Sequence, residues 1–197
     1  MLSQARAAIV STLFFTLLLG VGYPLLVTAI GQLAFPAQAN GSLVRNPGGQ
    51  VIGSSLIAQP FTGAEYLHPR PSAAGSGGYD AAGSSGSNLG PLNPALLDRV
   101  KKDADALRRE TAGAFIPADA VTTSGSGLDP HISPANARMQ AGRIARARGR
   151  TVAEVQRIID RHMAPPVLGV LGQPTVNVLE TNLALDAAIP AAHAGGQ

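Results

Sequence analysis

Hydrophobic residues form one unbroken run near the start of the chain and shorter periodic stripes further along. No charged residue occurs from Ala7 to Leu33, and the run is apolar on every side of a helix rather than on one face. A helix over this stretch would be about 40 Å long, against roughly 30 Å for the hydrocarbon core of a bilayer. The pattern predicts a single transmembrane helix at about 7–33, within an N-terminal segment 1–35.

A cleaved signal peptide is the alternative interpretation of this run. Arg6 gives a basic start and the sequence AQA at 37–39 resembles a cleavage site, but the apolar part of a signal peptide spans only about 7–15 residues. An uncleaved anchor is therefore favoured. We expect a kink near Pro24, because proline lacks the N–H that would bond one turn back. The charge of Arg6 favours an inside N-terminus, which would put the following domain outside.

Three amphipathic helices are predicted after the anchor, each from an N-cap residue followed by spaced apolar positions. Asn93 caps a helix at 94–111, and Ser133 caps a second helix at 134–148. Thr151 caps the third helix and forms a capping box with Glu154. The predicted buried stripes of the first and third helices are Leu96, Leu97, Val100, Ala104 and Leu107, and Val155, Ile158, Ile159 and His162.

Strands are predicted at 53–59 and 175–180, where apolar and polar residues alternate. Because the elements show no βαβ rhythm, the fold class is α+β: one N-terminal transmembrane helix, then a mixed α/β extramembrane domain at 36–186 and a flexible tail at 187–197. After Phe35 the chain has four aromatic residues, so the core of the domain must be mainly aliphatic. The segment 72–87, rich in Gly, Ser and Ala, predicts a mobile loop.

Charge and cysteine content narrow the function only slightly. The net charge is +3 and the basic residues alternate with acidic ones, which argues against nucleic-acid binding. The absence of cysteine is compatible with either redox compartment. Between Arg138 and Arg161 lie seven arginines, which either form a solvated helical face or contact anionic lipid or an acidic partner.

The segment TTSGSGLDPHIS at 122–133 concentrates hydroxyl groups, two glycines, an aspartate and a histidine. It lacks the lysine and spacing of a P-loop, and the G-x-S-x-G elbow occurs nowhere in the chain. A hydrolase site using Asp129, His131 and a nearby serine is the enzymatic alternative. The four histidines are too scattered for a metal motif. A rigid polar turn leading into a helix explains the residues better, because its hydroxyl groups can bond neighbouring backbone.

Five blocks of the chain carry a family resemblance: YPLLVTAIGQLAFPAQANGSLV (23–44), IAQPFTGAEYLHPRPSAA (57–74), SGSNLGPLNP (85–94), VTTSGSGLDPHISPANA (121–137) and GQPTVNVLETNLALD (172–186). In this order they resemble the C-subunit family of the Kdp-type potassium-transporting P-type ATPases (KdpC). Within the second block, Leu67 stands where an aromatic residue is expected beside Tyr66. The first block runs through the cleavage-like AQA, which also argues against a signal peptide.

This resemblance implies a non-catalytic accessory subunit of a high-affinity, ATP-driven potassium import complex in the bacterial plasma membrane. In such a complex one partner carries the potassium pore and another hydrolyses ATP. The family member stabilises the complex and acts as a catalytic chaperone that raises the ATP affinity of the hydrolysing subunit. ATP and potassium are handled by the complex, so no cofactor or metal is expected on this chain. Membrane lipid, but no nucleic acid, is an expected partner, and the domain is expected on the outer, periplasmic face.

The resemblance assigns no catalytic residue, but it marks two groups of positions. The first is a candidate subunit-contact or ion-entrance loop, formed by Thr122, Thr123, Ser124, Ser126, Asp129, His131 and Ser133. The second comprises the other positions that match family motifs, namely Tyr66, His68, Arg70, Asn88, Asn177, Asn182 and Asp186.

Overall fold

The computed structural model describes residues 2–111 and 113–190, which divide into two compact units between Ile52 and Gly53. The first unit begins with a long helix and ends in a two-stranded sheet. Its elements are α1 (Leu2–Leu17), a π-helical turn (Leu18–Gly22), α2 (Tyr23–Ala34), α3 (Pro36–Ala39), β1 (Leu43–Arg45) and the start of β2 (Val51–Ser54), a strand that crosses the boundary.

Within the described residues one helix, Gln4–Ala34, is long and apolar enough to cross a membrane, with a mean hydropathy of 2.1. Where a kink was predicted at Pro24, the structure has a π-helical turn immediately before the proline, in which the Tyr23 N–H donates to the Leu18 carbonyl. The wider turn lets the helix continue past a proline that cannot donate its own hydrogen bond. This element confirms the predicted N-terminal apolar helix.

The second unit combines four α-helices with a small antiparallel sheet, as the α+β prediction required. The sheet has the order β3-β5-β4, with Ile132 opposite Val176 and Met163 opposite the same residue. The elements are α4 (Pro94–Glu110), a 3₁₀ turn (Ala118–Ala120), β3 (His131–Ile132), α5 (Pro134–Arg148), α6 (Val152–Arg161), β4 (Met163–Ala164), β5 (Thr175–Asn177) and α7 (Val178–Ala188).

The three predicted N-caps are confirmed. Asn93 accepts from the Ala95 N–H, Ser133 accepts from the Asn136 N–H, and Thr151 completes a capping box with Glu154. Each side chain satisfies an amide that has no partner inside its helix, which is why the starts of α4, α5 and α6 are readable from local sequence.

The hydrophobic core lies between α5, α6, α7 and the sheet, and its fully packed members are aliphatic. Leu67, at the position where an aromatic residue was expected, is completely buried in this core. The cluster consists of Leu67, Ile132, Ala137, Ala141, Ile144, Ala145, Val155, Ile158, Ile159, Val176, Val178, Leu185 and Ile189. The shortage of aromatic residues is therefore met by Ala, Val, Leu and Ile, as the composition predicted.

Several details of the predicted elements are wrong. The predicted strand 175–180 stops at Asn177, because Asn177 caps α7 and converts the rest of the stretch into helix. The predicted strand 53–59 overlaps β2 only at Gly53 and Ser54. His162 is exposed at the end of α6 instead of buried in its stripe.

The predicted apolar stripe of α4 is also not part of the core. None of the described residues of this helix is buried, and Leu97 is 56% exposed. Polar contacts attach the helix instead, including a hydrogen bond of 3.1 Å from Arg99 to the Val121 carbonyl.

The glycine-rich segment 72–87 has no helix or strand, but hydrogen bonds hold it in place. Ser72 Oγ accepts from the Tyr79 N–H at 2.8 Å, and Tyr79 Oη donates to the Arg70 carbonyl at 2.8 Å. The predicted mobile loop is therefore an internally bonded one. Of the predicted tail 187–197, residues 187–188 belong to α7 and Ile189 is buried, whereas 191–197 lie outside the described residues.

Candidate functional site

The polar loop at 122–133 packs directly against the glycine-rich segment 72–87. Gly127 has φ +68°, and a Cβ there would lie 2.6 Å from the Ser85 carbonyl oxygen and 2.8 Å from the Ala74 nitrogen. Ser72 Oγ donates to the Gly127 carbonyl at 2.6 Å, and the Ser85 N–H donates to the Ser126 carbonyl at 3.0 Å. Only glycine fits such a left-handed position with backbone atoms so close.

The hydroxyl groups of Thr122, Ser124 and Ser126 are bonded to backbone groups in or next to the loop. Thr122 Oγ1 donates to the Ala118 carbonyl at 2.8 Å, and Ser126 Oγ accepts from the Leu128 N–H at 3.1 Å. Ser124, only 5% exposed, accepts from the Asp129 N–H at 3.4 Å. These local bonds stabilise the turn and leave the hydroxyl groups little freedom for chemistry.

Arg70, Asp129 and His131 form a charged cluster across the loop. Arg70 donates to Asp129 Oδ2 at 3.1 Å and to the Thr123 carbonyl at 3.2 Å. Asp129 Oδ1 accepts from the His131 N–H at 3.0 Å and lies 3.6 Å from His131 Nδ1. The structure thus brings together three predicted residues, and their main role is to join residue 70 to the loop.

The C-terminal end of the loop is fixed by Asp119, which was not predicted. Its carboxylate accepts from the Ser133 N–H at 2.8 Å, from Ser133 Oγ at 2.9 Å and from Asn136 Nδ2 at 3.1 Å. A carboxylate at a helix N-terminus is favourable because it faces unpaired amides and the positive end of the helix dipole. The signal for Asp119 was weak, since it lies 14 residues before its partner.

Two side-chain amides hold the segment around Leu67 and His68 between α5 and α7. Asn182 Oδ1 accepts from the Leu67 N–H at 2.7 Å, and Asn182 Nδ2 donates to the Leu67 carbonyl at 3.0 Å. Gln140 repeats the pattern on His68, with bonds of 2.8 and 3.1 Å. Each amide supplies the donor and acceptor that a neighbouring strand would otherwise provide.

His68 and Tyr66 have shifted pKa values for separate reasons. Burial, and then the positive charge of Arg143, lowers the pKa of His68 below 6.5. Burial, and then the carboxylate of Asp186, raises the pKa of Tyr66 above 10.0. Both side chains are therefore held in their neutral form around neutral pH.

Arg148 is the most deeply buried charge of the domain, with a side chain that is 0% exposed. It donates to the Glu65 carbonyl at 2.8 Å, the Ile189 carbonyl at 2.7 Å and Asp186 Oδ1 at 2.8 Å. Its guanidinium carbon lies 5.3 Å from the centre of the Tyr66 ring, and Tyr66 Oη donates to Asp186 at 3.3 Å. The predicted residues Tyr66 and Asp186 therefore meet around an arginine from the group predicted to be solvated or to contact anionic lipid or an acidic partner.

Arg143 is a second arginine of that group with an internal role. It donates to the carbonyls of Ala64 at 2.8 Å and Tyr66 at 2.9 Å, and its Nε lies 2.7 Å from a carboxylate oxygen of Glu110. Burial lowers the pKa of Arg143, and Glu110 opposes that change. Spacing could have revealed Arg148, which is one turn after Ile144 on the buried face of α5.

The two remaining predicted positions lie outside these clusters. Asn177 caps α7 through its Oδ1 and donates from Nδ2 to the Ser55 carbonyl at 2.8 Å. Asn88 is exposed and has φ 52°, a left-handed conformation that asparagine tolerates better than most residues.

A cavity of about 370 Å³ lies between α4, α5 and the segment around His68. Its lining combines Leu107 and Met139 with Arg143, whose charge is already paired with Glu110. Among residues 2–111 and 113–190, no group of three or more His, Cys, Asp or Glu side chains is placed to hold a metal ion. The arrangement of polar groups positions backbone segments, and the 3.6 Å between Asp129 Oδ1 and His131 Nδ1 is longer than a hydrogen bond.

The fold and this site together define a class of protein: an α+β domain whose buried polar residues organise its loops, in a chain whose described residues include one helix long and apolar enough to cross a membrane. Residues 5–187 match the family KdpC, described as K⁺-transporting ATPase, c chain, and the chain belongs to this family. It is an accessory subunit of the potassium-transporting P-type ATPase, and the apolar helix together with this membership indicates a membrane protein.

Similar proteins cover nearly the whole chain. A potassium-transporting ATPase KdpC subunit of Caulobacter sp. (strain K31) is 65% identical over 191 residues, with 97% of both chains covered. The protein of the same name from Beijerinckia indica is 58% identical over 192 residues, with 96% of both chains covered. That of Rhodospirillum rubrum is 53% identical over 195 residues, covering 98% of this chain and 100% of the relative.

Proposed function

We propose that the chain stabilises the potassium-import complex and raises the ATP affinity of its hydrolysing subunit, without transferring a phosphoryl group itself. The observation that carries this proposal is the internal bonding of the candidate loop. The side chains of Thr122, Ser126 and Asp129 bond backbone groups in or next to the loop, and Asp129 also accepts from Arg70. Such a loop presents a rigid surface to a partner, and rigidity lowers the entropy lost on association.

The exposed tip of the loop, Gly125 and Ser126, is the proposed contact with the pore subunit or its ion entrance. Gly125 allows a direct test, because a Cβ there meets nothing within 4 Å and the variant can fold. We expect Gly125→Lys to reduce co-purification with the other subunits of the complex. Gly77→Lys is the matched control, since Gly77 is also exposed and unobstructed. Equal recovery of the complex with both variants would contradict a contact at the tip.

We further propose that the domain lies on the outer, periplasmic face, and that its effect on ATP affinity is indirect. The charge of Arg6 before the apolar helix supports this sidedness. The internal pairing of Arg143 with Glu110 supports an indirect effect, because the cavity beside His68 then has little positive charge to offer a triphosphate. The change in ATP affinity would then result from energetic coupling between distant sites.

Sidedness can be tested because the chain has no cysteine. Ser76→Cys places a thiol on an exposed loop of the domain, and Gln4→Cys places one at the other end of the anchor. With a membrane-impermeant thiol reagent on intact cells, we expect Ser76→Cys to be labelled and Gln4→Cys to require lysis. The reverse pattern would place the domain in the cytoplasm and reopen direct nucleotide contact.

The chaperone role requires a kinetic test on the assembled complex. The KM for ATP of potassium-stimulated hydrolysis should be lower with this subunit than without it, provided that the complex remains assembled. An unchanged KM in an intact complex would refute the role in ATP affinity and leave the stabilising role standing.

A hydrolase remains a second candidate because Asp129 Oδ1 lies 3.6 Å from His131 Nδ1. Against it, the oxygens of Ser124, Ser126 and Ser133 are each bonded to groups other than His131. A hydrolase predicts that His131→Ala abolishes an activity of the purified full-length chain while its unfolding midpoint is unchanged. A structural role predicts a shift in the unfolding midpoint.

A further inference from the structure

The segment between β4 and β5 contains a small hairpin at residues 167–171. Val167 and Leu171 form an antiparallel bridge, with N–H···O distances of 2.9 Å in both directions. The Gly169 N–H donates to the Pro166 carbonyl at 2.9 Å, and the Val170 N–H donates to the Val167 carbonyl at 3.3 Å. Four backbone amides of this short segment are thus already satisfied.

The tip of the hairpin consists of four large aliphatic side chains in solvent. Leu168 is 86% exposed, and Val167, Val170 and Leu171 are 67%, 79% and 59% exposed. No charged residue occurs from Met163 to Leu179. A contiguous apolar patch of this kind is typical of a binding surface, unlike scattered single hydrophobic residues.

The backbone conformation at the tip is unfavourable for its exposed leucine. Leu168 has φ 55° and Gly169 has φ 77°, so both central residues of this turn are left-handed, as in a type I′ turn. Asparagine, aspartate and glycine are favoured at the left-handed position of Leu168, and leucine is disfavoured there. Neither turn geometry nor exposure to water explains Leu168, which indicates that its side chain has a partner outside the domain.

The surroundings of the tip favour a lipid bilayer as that partner. The patch is purely aliphatic, whereas protein interfaces are enriched in aromatic residues and arginine at their centres. The four bonded amides lower the cost of moving the hairpin backbone out of water. Arg157 and Arg161 are exposed on α6, which leads directly into β4 and the hairpin. An exposed aliphatic tip preceded in sequence by basic residues is typical of segments that lie at the membrane interface.

We propose that the hairpin tip, Val167, Leu168, Val170 and Leu171, inserts into the interfacial region of the bilayer that holds the chain's own anchor. Arg157 and Arg161 would then face the phosphate groups of the lipids. The domain is tethered to that bilayer by the apolar helix ending at Ala34, so the tip meets the membrane at a high effective concentration.

The test uses the absence of tryptophan from the natural sequence. Leu168→Trp makes the tip the only source of tryptophan fluorescence, and Phe115→Trp does the same at another exposed apolar position, 82% accessible. Each full-length variant is reconstituted into vesicles of phosphatidylcholine and phosphatidylglycerol, with or without bromine on the acyl chains. We expect a blue-shifted emission for Leu168→Trp and quenching by brominated lipid at least about twofold stronger than for Phe115→Trp.

A second pair of variants separates insertion from an accidental effect of the new tryptophan. The reporter is moved to Val170→Trp, with and without Leu168→Asn, because asparagine accepts the left-handed turn and removes the apolar tip. Quenching should fall when Leu168→Asn is added. Water-like emission without bromine quenching for both reporters would overturn the proposal. A blue shift without bromine quenching would also overturn it, because the tip would then be covered by protein.

Discussion

Replacing Asn182 with alanine should destabilise the domain far more than its small change in volume suggests. Asn182 is 1% exposed and bonds both the N–H and the carbonyl of Leu67, a residue that is itself fully buried. Asn182→Ala leaves both backbone groups without partners, and each buried unsatisfied group costs about 1–3 kcal/mol. We expect a loss of about 3–5 kcal/mol, a large part of the roughly 5–15 kcal/mol that stabilises a typical protein.

The assay is urea unfolding of the full-length chain in detergent, followed by circular dichroism and by protease sensitivity. Glu180→Ala, on the exposed face of the same helix, is the matched control and should cost no more than about 1 kcal/mol. Asn182→Asp keeps an acceptor for the Leu67 N–H but cannot donate to the carbonyl, so it should be intermediate or worse. If Asn182→Ala and Glu180→Ala have the same midpoint, the two amide bonds do not stabilise the domain and the reasoning fails.

Three further outcomes follow from the described contacts. Gly127→Ala should lower the free energy of unfolding by at least about 2 kcal/mol, because its Cβ would lie too close to the Ser85 carbonyl. Gly125→Ala has open space around it and should change the free energy of unfolding little. Equal effects of the two variants would contradict the close approach at Gly127. Stability should fall as the pH drops below about 6.5, because the pKa of His68 is lowered in the folded chain and the unfolded chain therefore binds a proton more readily. A full-length His68→Gln variant whose stability has the same pH profile would refute this assignment. Arg148→Lys should cost about 2 kcal/mol or more in urea unfolding because lysine cannot reach three acceptors, and a loss no larger than that of the exposed Arg146→Lys would contradict it.

Local chemistry made much of the fold predictable. Helix caps depend on residues that are close in sequence, so a single sequence reveals the caps at Asn93, Ser133 and Thr151. The apolar run before Phe35 is visible in the same way, because its residues are consecutive. The boundary at Asn177 was missed because an asparagine followed by apolar residues suits both a strand and a helix cap.

The buried polar contacts were not predictable for the opposite reason. Asn182 and Leu67 are 115 residues apart, and Gln140 and His68 are 72 apart. The partners of Arg148 come from two distant segments, so composition suggested a solvated arginine where the fold contains a buried one. Such pairs depend on the tertiary fold, and sequence periodicity carries information only about neighbours on one element.

The side-chain amides of Asn182 and Gln140 hold the Leu67 segment in place. This dependence limits which segments can be exchanged between this domain and those of its relatives. A strand can be exchanged when the hydrogen-bond ladder beside it is regular, because backbone supplies the partners whatever the side chains are. Here the two partners are single side chains on α5 and α7. A chimera that moves residues 63–72 from another member of the family must therefore carry both helices with it, and these three pieces form one unit of exchange although they are distant in sequence.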